Sequence, residues 1–326
     1  SPGTFLTDTT SYKQADAPKL LTILSEQTIK LLTMAGVNKK DAREYVKNGL
    51  AFDQKLAKVV KSTEEWSDYP ACYNPVSYED FVAEFKTFDM AAALQKVLPI
   101  KPKQIIVMEP RFLEHAEELI NENNFAEIKG WMIMSFINDH AHLLSQAFRE
   151  AAFPFNQALT GQGELAPVNR HAYYIANASF SEPMGIYYGK KYLGADAKAD
   201  VTDMIHKMIK VYESRIKENT WLSEATKQKA ITKLKALVLK IGYPDKQEKI
   251  YDLLQIDPNK SLYENERNLE KVVVKYNLDQ LTQPVDRTVW LMPVNMDNAC
   301  YDPQRNDMTF PAGILQKPFY DIHQSR

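Results

Sequence analysis

A chain of 326 residues exceeds the usual span of one domain, which sets a prior of about two. Forty Lys and Arg against 42 Asp and Glu leave a net charge of −2, so no basic excess exists to drive phosphate binding and nucleic acid is not an expected partner. Hydrophobic residues make up 44% and charged residues 25%, ordinary for a globular protein, and the apolar stretches are too short and charge-broken to span a membrane.

The chain opens on Ser1-Pro2-Gly3-Thr4-Phe5, with neither initiator Met nor signal peptide, and reads as the start of a fragment. Residues 16–35 carry Leu20, Leu21, Leu24, Leu31 and Leu32 and stop at Gly36, the pattern of a helix. Asn38 is placed to cap the next one. Through 38–60 the positions Ala42, Tyr45, Gly49, Phe52, Leu56 and Val59 step by threes and fours, so the two form a helical hairpin. Residues 64–75, with Trp66, Pro70 and Pro75, read as a loop or linker, and 126–148 as one helix. A further stripe runs through Val201, Met204, Ile205, Met208, Ile209 and Tyr212. Ser223 can cap the following helix, whose buried edge is Ile231, Leu234, Val238 and Ile241 and whose stop is Gly242-Tyr243-Pro244. From Arg287 the texture becomes extended: Val289-Trp290-Leu291-Met292, then Ala299-Cys300-Tyr301, a turn over 302–306, and Met308-Thr309-Phe310. The expected fold is mainly α, with a short strand hairpin near the C-terminal end.

The candidates for chemistry are sparse. His140 and His142 lie two apart on the expected 126–148 helix and so point about 200° from one another, which cannot close on one ion. His115 and Glu118 share a face but are too few to hold a metal. Glu64-Glu65 and Glu117-Glu118 read as solvated pairs. Gly161-Gln162-Gly163 lacks the strand and later glycine of a nucleotide loop. Cys300 has no evident activating base. No His-Glu-x-x-His occurs in the chain. Cys72 and Cys300 read as unpaired thiols in a reducing cytoplasm, with one bridge in a secreted or surface-associated protein as the alternative.

The informative stretch is 297–320, with Asn298-Ala299-Cys300-Tyr301, Arg305-Asn306 and Phe310-Pro311-Ala312-Gly313-Ile314-Leu315-Gln316. It closely resembles the neprilysin-like zinc endopeptidases. Trp221 through Lys227, the exit Ile241-Gly242-Tyr243-Pro244 and the entry from Ser1 to Tyr12 resemble the same family in the same order. With so few cysteines, the chain looks more like the bacterial oligopeptidases than the disulfide-bonded animal ectoenzymes.

The resemblance implies two largely helical lobes around a closed cavity. Residues 1–60 and 263–326 would belong to the catalytic lobe, and 61–262 to the covering lobe. It implies a zinc-dependent endopeptidase acting on short peptides, with cleavage before bulky hydrophobic residues. The zinc needs two His and a carboxylate, plus a Glu to take a proton from its bound water; these ligands and the catalytic residues would lie outside this chain. Asn298 and Ala299 match the family's binders of substrate backbone, which suits an Asn amide and an edge strand. Ile314 and Phe319 match residues lining the pocket after the scissile bond, with simple core packing as the alternative. Cys300 departs from the family's usual aromatic residue. The rival to the peptidase is a non-catalytic helical scaffold or peptide-binding module.

Overall fold

Apolar residues spaced by threes and fours can bury one stripe only against another helix, and the early part of the chain does so. In the computed structural model, which describes residues 3–324, α1 spans Ala17–Met34 and α2 Lys39–Leu56. Ser1 and Pro2 of the entry segment lie outside the described residues. Asn38 caps α2 as expected, its side chain accepting the Asp41 N–H at 2.9 Å. Across α2 lies α3, Phe125–His140. A Cβ on Gly130 would stand 2.5 Å from the Tyr45 carbonyl oxygen and 2.7 Å from the Gly49 amide nitrogen, so these helices meet backbone to backbone. Leu24, Leu31, Val46, Met134 and Ile137 close the core around that crossing. Asp53, fully buried on α2, accepts the Phe5 N–H at 2.9 Å and the Tyr12 hydroxyl, tying the entry segment to the helix.

The chain divides into two compact units: Ser1–Ala166 with Pro258–Arg267, and Pro167–Asp257 with Asn268–Arg326. In the first, two expectations change. The helix expected over 126–148 ends at His140, turns through Ala141–Leu143 and restarts as Gln146–Ala151. Ser145 takes the capping position of the new helix, a place Ser prefers to a helix interior. Residues 64–75 are not plain loop. The Ser62 and Glu65 side chains each accept the other's backbone N–H, a capping box that starts the short helix Thr63–Ser67. Beyond it, β1 (Pro75–Ser77) pairs antiparallel with β2 (Gln104–Ile106).

The second unit contains α4 (Val168–Ser179), α5 (Ser181–Tyr188), one π-helical turn (Gly189–Leu193), α6 (Gly194–Glu218) and α7 (Glu224–Lys235). Ser223 caps α7 through the Thr226 N–H, as expected. Its C-terminal end is where the sequence reading fails. Val238 and Ile241 are not the edge of that helix but belong to β3, Val238–Gly242. The carbonyls of Lys233 and Ala236 are taken by Asn306 Nδ2 and Arg287 Nη2, at 2.9 and 2.8 Å, which leaves no ladder to continue. The freed segment is rich in strand formers and runs parallel to β5 (Asp307–Pro311), with Val238 opposite Asp307 and Gly242 opposite Pro311. β4, Cys300–Asp302, pairs antiparallel with β5, so the expected hairpin is present and the sheet order is β3-β5-β4. Residues 289–292 form bends rather than a strand, because the Val289 carbonyl receives Lys240 Nζ at 2.7 Å and Arg305 Nη2 at 3.2 Å. The chain is mainly helical, with two small sheets.

Candidate functional site

The sheet is held by apolar packing of Leu239, Ile241 and Phe310 and, on the alternate residues of its strands, by a buried ion cluster. Asp307, 2% exposed, receives Lys240 Nζ at 2.5 Å and Arg305 Nε at 3.2 Å, and Lys240 is itself 3% exposed. These charges are buried and paired, as burial of charge requires. The turn before them is fixed by Asp302, whose Oδ1 accepts the N–H groups of Gln304 and Arg305.

At the edge, β4 is the end strand of its sheet, and among the described residues its outer edge has no strand partner. Asn298 and Ala299 lead directly into it. Asn298 is exposed and its Oδ1 accepts the Ala299 N–H at 2.8 Å. Ala299 is half-buried, and Cys300 and Tyr301 are exposed. Ile314 packs inward against the core of Val201, Ile205, Ile241 and Leu315. Phe319 projects outward, 69% exposed. The fold therefore gathers Asn298 and Ala299 at the open edge, with Ile314 in the core behind and Phe319 at the surface.

The segment before Asn298 is clamped. A Cβ on Gly185 of α5 would come within 2.6 Å of Val294 Cβ, and one on Gly313 within 2.4 Å of the Met296 carbonyl oxygen. Gly313 also donates its N–H to the Val294 carbonyl at 3.0 Å. Asn295 is held between these contacts, its Nδ2 donating to Asn177 Oδ1 at 2.8 Å. It contributes to the lining of a cleft of about 460 Å³, whose other walls include Tyr173, Met184, Tyr187, Tyr188 and Tyr192. Sequence reasoning missed this cleft. The tyrosines from Tyr173 to Tyr192, spread over three elements around Pro183-Met184, are the signal that could have found it. Next to it on α5, burial pushes the Glu182 carboxyl up from its ordinary range, against the Glu248 N–H that its Oε1 accepts at 2.5 Å.

The other candidates serve local structure. His140 Nδ1 lies 2.8 Å from the Phe136 carbonyl oxygen, with the ring stacked on Phe136. His115 separates two short helices and bonds the Arg111 carbonyl at 2.9 Å, so it does not share one continuous helix with Glu118. Glu65 is exposed and Glu117 half-buried, and neither is merely solvated. Two Arg111 nitrogens, at 3.0 and 3.1 Å, hold the Glu65 carboxyl down to about 2. Glu117 accepts the N–H groups of Lys86 and Thr87. Cys72 is buried, Cys300 exposed, and both are free thiols. Among the described residues no group of three or more His, Cys, Asp or Glu could hold a metal ion, so the donors present do not fit zinc. No described helix is long and apolar enough to cross a membrane.

The second unit thus offers, among the described residues, an unpaired strand edge and an aromatic cleft. The class of the protein is settled by comparison: the N-terminal-region profile of peptidase family M13 matches residues 1–244, and the chain belongs to that family. It is 67% identical over 325 residues to a neutral endopeptidase of Lactobacillus helveticus, covering 100% of this chain and 50% of that protein. The crystal structure of PepO from Lactobacillus rhamnosis superposes with a TM-score of 0.91 at 35% identity, over 100% of this chain and 52% of that one. A Mycobacterium tuberculosis zinc metalloprotease solved with an inhibitor gives a TM-score of 0.85 at 25% identity, over 99% of this chain and 49% of that one. The chain spans about half the length of the curated relatives it matches.

Proposed function

We propose that this chain is the peptide-holding part of a zinc-dependent endopeptidase that cuts short peptides before bulky hydrophobic residues. The observation that carries the reading is the unpaired outer edge of β4, entered through Asn298 and Ala299, in a chain of a peptidase family. An extended peptide can add to such an edge by main-chain hydrogen bonds, with side-chain pockets setting specificity. Asn298 would exchange its local bond to the Ala299 N–H for bonds to the substrate backbone. The local bond is exposed, and a hydrogen bond of that kind is worth only about 1 kcal/mol net. Phe319, with Ile314 behind it, would meet the side chain that follows the scissile bond. Zinc would supply the activated water, held by ligands from outside this chain. The lobe division at residues 60 and 262, with 61–262 as the cover, belongs to the same proposal, as does a cytoplasmic setting.

The test is peptide cleavage by a protein of the relatives' length that contains this chain. Asn298→Ala leaves substrate groups unpaired in a site closed to water, which costs roughly 1–3 kcal/mol, a ten- to hundredfold loss in kcat/KM. Zinc content and melting temperature should stay unchanged. In the same assay Phe319→Ala should weaken cleavage before Phe or Leu more than before Ala. Full turnover from a folded, zinc-loaded Asn298→Ala protein removes the residue from the site. A rival binding module would instead bind the peptide and leave it intact.

A further inference from the structure

The cleft between α4, α5 and the π turn is not used by the peptide-holding reading, and three features set it apart. It is concave and aromatic, with Tyr187 and Tyr192 66% and 58% exposed rather than packed away. Large exposed rings are costly to leave in water unless something covers them, and pockets of this composition are ordinary ligand sites. One of its walls is the π-helical turn Gly189–Leu193, and the Tyr188 and Tyr192 rings, four residues apart, lie 4.9 Å from one another. Single π turns recur at functional sites because they re-aim side chains that a regular helix would distribute otherwise. Finally, Lys191 lies over both Tyr187 and Tyr192, at 5.7 and 5.4 Å from their ring centres, so the cation present is already stacked on the outer rings. An occupant of this cleft is apolar rather than charged.

The place of the cleft in the chain names the occupant. Asn295 lines the cleft, and β4, whose outer edge is open, begins five residues later at Cys300. Five residues of chain reach roughly 17 Å at most, and Val294 and Met296 are clamped on either side by Gly185 and Gly313. A peptide lying along β4 advances by about 3.3 Å per residue, so its neighbouring residues reach the cleft within a few positions.

We infer that the tyrosine-lined cleft is a second specificity subsite, taking one bulky apolar or aromatic side chain of the same peptide, a few residues from the one held at Asn298. This rests on the peptide-holding reading of β4. Its chemistry is burial of an apolar side chain against tyrosine faces. Asn295 is a positioning residue, fixed by Asn177 and close to the Tyr173 hydroxyl at 3.5 Å.

The experiment uses the zinc-loaded protein of the relatives' length and a set of short peptides in which Phe replaces Ala at one position at a time. Wild type should favour Phe at one position remote from the scissile bond, by roughly tenfold in kcat/KM. Tyr187→Ala and, separately, Met184→Ala should erase that preference, so that the Phe peptide is cut no faster than the all-Ala peptide by the same variant. Tyr187→Phe should keep the preference, because the ring is retained. Equal loss at every position, or an intact preference in both alanine variants, overturns the subsite. The two readings fail separately. If Asn298→Ala impairs all peptides while the cleft variants do nothing, only the subsite falls. If Asn298→Ala is also silent, the peptide-holding edge falls with it.

Discussion

The crossing of α2 and α3 and the sheet β3-β5-β4 solve the same problem in different ways. At the crossing, Gly49 and Gly130 let two backbones touch, and Leu24, Leu31, Val46 and Met134 fill what remains. Close packing leaves nothing there for a ligand. At the sheet, the apolar packing of Leu239, Ile241 and Phe310 is joined by the ion cluster of Lys240, Asp307 and Arg305, and among the described residues the outer edge of β4 and the tyrosine cleft are left open. Directional charged hydrogen bonds fix a strand only five residues long. Apolar contact alone closes the crossing; at the sheet, apolar and buried polar contacts together fix the strands while the outer edge of β4 stays open among the described residues.

The largest effect should come from breaking the support of the sheet. Asp307→Ala would leave Lys240 a buried cation, and Arg305 a half-buried one, without their common partner, and removing one member of a buried pair costs about 3–5 kcal/mol. Urea unfolding of the second unit should report that loss, with hydrogen exchange of β4 and β5 rising first. Replacing Lys240 by Met and Asp307 by Leu together should recover part of it, since no buried ammonium is left unpaired and Arg305 keeps its bonds to the Asp286 and Val289 carbonyls. If Asp307→Ala unfolds as wild type does, the ion cluster is not what holds the strands.

The crossing should break by crowding instead. Gly130→Ala places a methyl group 2.5 Å from the Tyr45 carbonyl oxygen, a backbone atom that cannot swing aside. Overpacking of this kind costs about 1–3 kcal/mol, and here the upper end is expected. Chemical denaturation followed through Trp131, which meets Phe5 and Phe52 at 6.1 Å, reads the unit concerned. An unchanged midpoint would mean that α2 and α3 separate freely.

The same contrast explains what the sequence could reveal. α1 and α2 were legible because their determinants are local: leucines on one stripe, Asn38 at the cap, Gly36 at the stop. The hairpin of β4 and β5 was legible from its turn, although β4 begins at Cys300 rather than Ala299. β3 was not legible. Ile231, Leu234, Val238 and Ile241 keep helical spacing straight through the break, and the groups that end α7 come from Asn306 and Arg287, far along the chain. Parallel pairing with β5 then overrides the helical pattern. The open edge was found through family resemblance to Asn298-Ala299, not from spacing. The cleft was missed because Tyr173, Tyr187 and Asn295 converge only in three dimensions.

The smallest effect concerns a place where the first unit departs from its own rule. Asp53 is a carboxylate inside an apolar region, and burial pushes its carboxyl up to about 6 from the ordinary 3.8, against hydrogen bonds from Tyr12 and the Phe5 N–H. Burial of its phenol and the adjacent Asp53 charge raise Tyr12 in turn, so Tyr12 stays protonated and donating throughout the neutral range. The sign follows from which state releases its proton first. On raising the pH, the unfolded chain ionises near 3.8 while the folded carboxyl holds its proton to about 6. The contribution of Asp53 is therefore fully present below about pH 4, falls away through pH 4–6 and is gone above it. A shift of this size corresponds to about 2 kcal/mol lost between pH 4 and pH 7. Asp53→Asn does not titrate, and its Oδ1 can still accept the Phe5 N–H. Wild type should thus lose about 2 kcal/mol relative to Asp53→Asn between those pH values, with exchange of the Phe5 amide following the same curve. A difference between the two proteins that is flat with pH would mean that Asp53 is ionised throughout, held by its two donors as firmly as Asp307 is held by its cations.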